Sequence, residues 1–163
     1  HPALVHSESM LAKVEGAYNA VEVYGDLAGP VVFHGLGAGP APTTSSLIGD
    51  LLAVARSSEP PAPSRPRAKL PFKPMVDLET QYYLRVSIAD QSGVLSQIAQ
   101  VFGESDISIA AVTQKDVDNQ QGTAQLVITT HPARESAMQT ALKAIKEMSV
   151  LQKVHNLLRV ETV

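Results

Sequence analysis

A proline-rich stretch over residues 57–67 divides this chain of 163 residues into two parts. It reads Ser-Ser-Glu-Pro-Pro-Ala-Pro-Ser-Arg-Pro-Arg and shows no apolar periodicity. Because proline fixes φ and has no backbone N–H, neither a helix nor a strand can continue through it. We therefore expect a first segment over residues 1–56, a semi-rigid linker over 57–80 and a second segment over 81–163.

The composition excludes several classes of protein. The net charge is −3, with 13 basic and 16 acidic side chains, which argues against a nucleic-acid partner. Cysteine is absent, which excludes disulfides, thiol catalysis and thiolate metal sites and fits a reducing cytoplasm. No apolar run approaches the roughly 20 residues of a membrane span, and no signal peptide is present. We expect a cytoplasmic protein without a membrane partner and, since the sequence opens on His1-Pro2, a piece of a longer one.

The first segment predicts a hairpin and one helix. Residues 17–24 and 31–33 are rich in β-branched and aromatic side chains, and turn residues lie between them. A helix is predicted to begin at Thr43 or Thr44, either of which can cap it. Its apolar stripe comprises Leu47, Ile48, Leu51, Leu52 and Ala55. A hairpin with one helix is marginal alone, so we expect the rest of its core from upstream sequence or another subunit.

The second segment predicts a ferredoxin-like βαββαβ plan, so the fold class is α+β. Strands are predicted over residues 82–88, 107–113, 121–130 and 154–161, and helices over 93–105 and 134–148. In this plan both helices cover one face of an antiparallel sheet. The other face needs cover, and pairing with a second copy is the simplest way to supply it.

The turn between the first strand and helix of this plan is a candidate ligand site. It comprises Asp90, Gln91, Ser92, Gly93, Val94 and Leu95. The free backbone N–H groups at the start of the helix favour an anion such as a carboxylate. Asp90 lies beside them and can hold an ammonium group, so the pair would suit a free amino acid. Alternatively, Asp90 only caps the helix and Gly93 only forms the turn.

A second candidate is the glycine-rich loop Gly35-Leu36-Gly37-Ala38-Gly39-Pro40, between a strand and a helix. Closely spaced glycines let a ligand approach the backbone, and a helix N-terminus suits phosphate. The loop is not a dinucleotide fingerprint, because the third glycine position holds Pro40, and it lacks the lysine of a P-loop. A plain connecting loop is the alternative.

Other chemistry finds no support in the sequence. The five histidines have no helical i, i+4 spacing and no carboxylate to complete a ligand set, so no metal site is predicted. No Gly-x-Ser-x-Gly elbow is present, and no catalytic residue is assigned.

The second segment resembles an ACT domain. The resemblance rests on residues 82–99, which include Asp-x-x-Gly-Val-Leu, and on Phe-Gly and Ile-Ser-Ile farther along. ACT domains sense amino acids in biosynthetic enzymes, usually across a dimer interface. The resemblance implies that Asp106 and Ile107 join the Asp90–Leu95 turn, residues 90–95, in binding the effector. Two positions depart from the family pattern: Ser92 stands where proline is common, and Asp106 where asparagine or glycine is common.

The first segment resembles the end of the homoserine dehydrogenase catalytic domain. The matching residues are 1–5, 11–21, 25–26, 35–39, 42–45 and 49–50. This resemblance implies an NAD(P)-dependent interconversion of aspartate semialdehyde and homoserine, inhibited by threonine, in a homodimer or larger homo-oligomer. The family's Rossmann domain and catalytic residues would lie upstream, so this piece alone is expected to be inactive and to hold no cofactor. Gly35, Gly37 and Gly39 would border the cofactor and substrate cleft.

Two other functions stay open. One is a catalytically inert ACT pair that only holds the oligomer together, which Ser92 and Asp106 favour. The other is a free-standing amino-acid sensor, which the homoserine dehydrogenase-like residues 1–56 disfavour.

Overall fold

A computed structural model describes residues 1–57, 71–118 and 122–161. The described residues form eight strands: β1 (Ala3–Val5), β2 (Tyr18–Gly25), β3 (Gly29–Leu36), β4 (Glu79–Ala89), β5 (Ile109–Asp118), β6 (Thr123–Thr130), β7 (Ala133–Arg134) and β8 (Leu151–Glu161). They also form three α-helices: α1 (Pro40–Arg56), α2 (Val94–Glu104) and α3 (Glu135–Lys146). The chain divides into two compact units, one of His1–Val5 with Pro71–Val163 and one of His6–Leu70.

The larger unit confirms the predicted α+β plan. Its sheet has the order β1-β8-β4-β6-β5, with the short β7 paired to the start of β4. The elements β4-α2-β5-β6-α3-β8 follow the predicted βαββαβ order. Within the series β8, β4, β6 and β5, each strand is antiparallel to the next, as in the ferredoxin-like plan.

One hydrophobic core holds this unit together. Alternate residues of β4 are buried and the residues between them are partly exposed, which is the period of a strand with one face covered. The buried face meets the apolar sides of α2 and α3. The largest fully buried side chains are Tyr82, Phe102, Leu84, Ile98, Leu126, Ile128, Met138 and Ile145. Burying each apolar side chain of this size contributes about 1.5–3 kcal/mol, so the core fixes where both ends of α2 lie.

The strand β1 was not predicted. It runs parallel to β8 at the edge of the larger unit's sheet, with Ala3 opposite Arg159 and Val5 opposite Glu161. The side chains of His1 and Glu161 also meet, at 3.2 Å between Nε2 and Oε1. The first residues of the chain therefore pack with the second segment, although they precede the hairpin and the linker.

The smaller unit consists of the predicted hairpin and helix. β2 and β3 pair from Tyr18 opposite Leu36 to Gly25 opposite Gly29. No side chain among residues 1–57 is buried, and the apolar stripe of α1 is about half exposed or more. This unit therefore has no closed core among the residues described. That upstream sequence or another subunit covers the apolar stripe of α1 stays a prediction.

The predicted start of α1 at Thr43 or Thr44 was wrong, because the helix begins at Pro40. Gly39 precedes it with φ 126°, and no side chain caps the helix. Proline is tolerated in the first helical turn because the N–H groups there need no intrahelical partner. Pro40 and Pro42 therefore extend the helix backwards instead of blocking it.

Candidate functional site

The turn after β4 is held in place by backbone hydrogen bonds. The N–H of Asp90 donates to the carbonyl of Gly122, and the N–H of Ala89 donates to the carbonyl of Val150, each at 2.9 Å. Gly93 adopts a left-handed conformation, φ 88°, and α2 starts at the next residue. Glycine suits this position because a side chain would be strained there. Backbone hydrogen bonds to the residues before β6 and before β8, together with the conformation of Gly93, thus fix the turn.

The alternative role of Asp90 as a helix cap is not what the structure shows. The N-cap position of α2 is Gly93, and no side chain caps the helix. The Asp90 carboxylate instead accepts a long hydrogen bond of 3.5 Å from the Gln114 amide on β5. Within the described part of the chain, the backbone N–H groups of Leu95 and Ser96 donate no hydrogen bond. The turn therefore presents an exposed carboxylate beside free N–H donors, as the sequence predicts.

The residues of the predicted effector set differ in accessibility. Asp90, Gln91, Ser92, Gly93 and Leu95 are exposed. In contrast, the side chains of Val94 and Ile107 are buried in the core. Those two residues position the turn and the end of α2 and do not offer side chains to a ligand.

Asp106 lies at the other end of α2 from this turn. The helix ends at Glu104, and Asp106 follows with a left-handed backbone, φ 56°. Its N–H donates to the carbonyl of Gly103, which closes the helix. Eleven helical residues at 1.5 Å each separate the two ends by ~16 Å. One molecule therefore does not bring Asp90 and Asp106 to the same small ligand.

A cavity of about 330 Å³ opens beside Asp106. Its lining residues are Glu79, Ser105, Asp106, Pro132, Ala133, Arg134 and Ala137. Glu79 and Arg134 occupy opposed positions of the β4–β7 pair. Neither residue was predicted as part of a site, because nothing in the spacing of residues indicates a two-residue strand such as β7.

A buried ionic cluster lies next to this cavity. The Arg159 guanidinium donates two hydrogen bonds of 2.8 Å to the Glu135 carboxylate, and the Tyr82 hydroxyl donates a third, also 2.8 Å. Gln139 donates a fourth at 2.7 Å. Glu135 is only 4% exposed. Burial alone would raise its pKa, but the hydrogen bonds from Arg159, Gln139 and Tyr82 hold the pKa of this carboxyl below its usual value.

The same cluster perturbs its other two members. Burial, and then the hydrogen bond to the Glu135 carboxylate, raises the pKa of the Tyr82 hydroxyl. The hydrogen bonds to Glu135 raise the pKa of Arg159. Because each donor has the same acceptor, the cluster joins β4, α3 and β8 into one rigid arrangement. The sequence predicted only that Tyr82 begins a strand.

The glycine-rich loop lies between β3 and α1. The N–H of Gly37 donates to the carbonyl of Ala17 at 2.9 Å, which ties the loop to the start of β2. The side-chain amide of Asn19 occupies the space that a Cβ on residue 37 would fill. Gly35 faces open space. A side chain at residue 37 would therefore force the Asn19 amide aside.

The start of α1 is poorly suited to phosphate. Pro40 and Pro42 occupy the first and third helical positions and have no N–H to donate. The N–H of Thr43 already donates to the carbonyl of Gly39. The expectation that this helix N-terminus suits phosphate therefore fails on its donor groups. What the loop offers a ligand is close backbone approach at Gly35, because the Asn19 amide fills the space at Gly37.

The described residue ranges contain neither a candidate metal-binding cluster nor a membrane-spanning helix. No group of three or more histidine or acidic side chains there is arranged to hold a metal ion. No helix in these ranges is long and apolar enough to cross a membrane.

The two parts of the chain match two protein families. Residues 1–52 match the model of homoserine dehydrogenase, and residues 82–149 match the model of the ACT domain. Homoserine dehydrogenase of Mycobacterium tuberculosis is 40% identical over 168 residues, covering 99% of this chain and 38% of that protein. The homoserine dehydrogenase of Helicobacter pylori is 36% identical over 163 residues, with the same two coverages.

The fold agrees with these matches. The crystal structure of a homoserine dehydrogenase from Thiobacillus denitrificans matches with a TM-score of 0.81 and 31% identity, over 99% of this chain and 38% of that one. The chain thus spans about two fifths of the length of the relatives that it matches. In sequence and in fold, the chain corresponds to the C-terminal region of homoserine dehydrogenases, with an ACT domain after the end of the homoserine dehydrogenase domain.

Proposed function

We propose that the chain works as part of an NAD(P)-dependent homoserine dehydrogenase that interconverts aspartate semialdehyde and homoserine in the cytoplasm. The observation that carries this proposal is the match to relatives of that name over 99% of the chain, across both segments. A free-standing amino-acid sensor is disfavoured, because residues 1–52 match the homoserine dehydrogenase model. The chemistry would depend on a Rossmann domain and catalytic residues outside the present sequence.

The glycine-rich loop is the part of this chain proposed to border the cofactor and substrate cleft. NAD or NADP would supply the hydride acceptor there. Gly35, Gly37 and Gly39 would admit the cofactor close to the backbone. Pro40 and Pro42 argue against phosphate binding at the start of α1. The role of the loop is therefore to shape the cleft, with Asn19 supporting it at Gly37.

The ACT domain is proposed to bind an amino-acid effector, L-threonine, at the Asp90–Leu95 turn. Asp90 would hold the ammonium group, and the free N–H groups of Leu95 and Ser96 would hold the carboxylate. Asp106 would reach the same ligand only from a second copy, because it lies at the opposite end of α2. A twofold pair with antiparallel α2 helices would bring the two ends together.

The free sheet edge suggests where a second copy would pair. β1 covers the outer edge of β8, whereas β5 has β6 as its only partner strand among the described residues. An open edge strand presents unpaired N–H and carbonyl groups that a second copy can satisfy. A homodimer joined along β5 and α2 is the simplest assembly that also completes the effector site.

Calorimetric titration of L-threonine into the chain, with its mass measured by light scattering before and after, tests the effector proposal. A saturable binding component that the D90N variant loses supports the site at the turn. A change of mass would indicate regulation through assembly. No heat from a folded dimer would instead favour the inert ACT pair. The departures of Ser92 and Asp106 from the family pattern suggest that alternative.

The dehydrogenase proposal has a separate test. The complete gene product that contains this sequence should reduce NAD or NADP when homoserine is supplied, and threonine should inhibit that reaction. In the D90N variant, the reaction should persist while the inhibition is lost. A complete gene product without homoserine-dependent reduction of either cofactor would refute the proposal.

A further inference from the structure

The cavity beside Asp106 is distinct from the Asp90–Leu95 turn. The two lie at opposite ends of α2, ~16 Å apart along the helix axis. Every residue that lines the cavity belongs to the larger unit of one molecule. A ligand in this cavity would therefore not need a second copy, unlike a ligand shared between the turn and Asp106.

The cavity holds side chains of both charges that are not paired with each other. Glu79 and Arg134 are opposed across the β4–β7 pair, yet no ion pair joins them. Within the ranges that the structure describes, the side chains of Glu79, Asp106 and Arg134 make no hydrogen bond or ion pair. Two carboxylates and one guanidinium, all solvent-exposed, thus border one opening without a protein partner.

The rest of the lining sets the size and character of a ligand. Pro132, Ala133 and Ala137 are small apolar side chains, and Ser105 adds one hydroxyl. The volume of about 330 Å³ lies at the lower end of the range for small-molecule sites. The amino end of α3 also lies here and adds positive potential beside Arg134. The lining suits a small ligand with a cationic group, an anionic group and a short side chain.

We infer that this cavity is a second amino-acid site, which binds the zwitterionic group of a small α-amino acid within one copy of the chain. Arg134 binds the carboxylate as a planar guanidinium. Glu79 and Asp106 bind the ammonium group, and Ser105 faces the short side chain. The inference rests on the proposed amino-acid sensing and adds a site to it. Its position next to Glu135 places the ligand one residue from the buried ionic cluster.

Residue-resolved NMR titration of the full 163-residue chain tests this inference. The probes are L-threonine, L-alanine and glycine. Binding in the cavity is expected to shift the amide signals of Ser105, Asp106 and Ala137 in a saturable way. The R134Q and E79Q variants should each weaken that binding roughly tenfold or more, because each removes a charge-assisted hydrogen bond. The matched control R56Q, on α1, should leave it unchanged.

The outcomes separate this inference from the proposed effector site. Shifts at the cavity that R134Q removes and D90N leaves in place support the second site. Shifts confined to residues 90–96, unaffected by R134Q, would overturn the second site and leave the proposed sensing intact. No shift at either place with all three amino acids would overturn both.

Discussion

The buried carboxylate of Glu135 accepts four side-chain hydrogen bonds. Desolvation opposes its charge, but four hydrogen bonds outweigh this effect and lower its pKa. A carboxyl whose pKa is lower in the folded state than in the unfolded chain stabilises the fold above its unfolded pKa, about 4.3 for glutamate. That stabilisation is lost as the pH falls through the lower, folded pKa.

We therefore predict that the free energy of unfolding declines below about pH 4.3 with a component that depends on Glu135. The measurement is urea unfolding between pH 3 and 7 for the wild type and for E135Q. The variant should be less stable at pH 7, and the difference between the two proteins should shrink as the pH falls. A difference that stays constant over this range would show that the charge of Glu135 is not what the cluster stabilises.

The arginine of the cluster provides a second test. R159L leaves the Glu135 carboxylate buried without its counter-charge, which is expected to cost near the lower end of about 3–5 kcal/mol, since Arg159 keeps some contact with solvent. Urea unfolding at pH 7 measures this loss. R85L, on the opposite face of the same sheet, is the control for removing an arginine from this unit. An equal loss in both variants would contradict a special role for the cluster.

A single side-chain amide, that of Asn19, packs against one glycine of the loop, Gly37. A methyl group at residue 37 would overlap the Asn19 side chain, whereas a methyl group at residue 35 meets nothing within 4 Å. We predict that G37A displaces the Asn19 carboxamide and shifts its NMR signals, and that G35A leaves them in place. The double variant N19A/G37A should recover the backbone shifts of the loop, because it removes the overlap. Equal effects of G35A and G37A would refute this explanation.

At the scale of elements, the sequence predicted the strands and helices that have a repeated pattern of apolar residues. The alternation of β4 and the apolar spacing of α2 and α3 recur over many residues, so those elements were placed within a few residues of their observed bounds. β1 and β7 have three and two residues, too few to show a period. Both exist because of long-range partners, β8 and β4, which a local pattern does not contain.

In the candidate sites too, the sequence predicted local features and not contacts between distant elements. The turn at Asp90 follows from a strand, a glycine and a helix in direct succession, all of them local signals. The opposed charges of Glu79 and Arg134 depend on β7, and the pairing of Glu135 with Arg159 depends on two elements meeting in the core. The positions of residues in the sequence do not reveal such long-range contacts.

β1 connects the second segment to the residues before the hairpin. A three-residue strand at a sheet edge has few hydrogen bonds, so its opening free energy is expected to be well below that of the core. We predict that the amides of β1 exchange with deuterium faster than those of β4 but slower than those of residues 6–10. L4P, which removes one backbone donor, should abolish this protection, whereas L27P in the hairpin turn should not. Protection of β1 that survives L4P would contradict its pairing with β8.

At the scale of the whole molecule, the two ends of α2 decide whether one copy or two form the proposed effector site. If the turn of one copy and Asp106 of another meet at one ligand, each site is built from two chains. A D90N chain then damages the turn side of both sites in its own homodimer, and a D106N chain damages the opposite side of both. A mixed pair of the two variants contains one site with two intact halves and one with two damaged halves.

Mixing the two variants therefore tests this architecture. After the chains are unfolded together and refolded, we expect L-threonine binding at the effector site to return to about one quarter of the wild-type capacity, since half of the randomly formed pairs are mixed and each holds one intact site of two. Calorimetry measures the capacity, and each variant refolded alone is the control. A cavity site within one chain gains nothing from mixing, because its damaged residue stays in the same copy. Failure of the mixture to exceed the mean capacity of the two separate variants would place each threonine site within a single chain and would refute the twofold effector site.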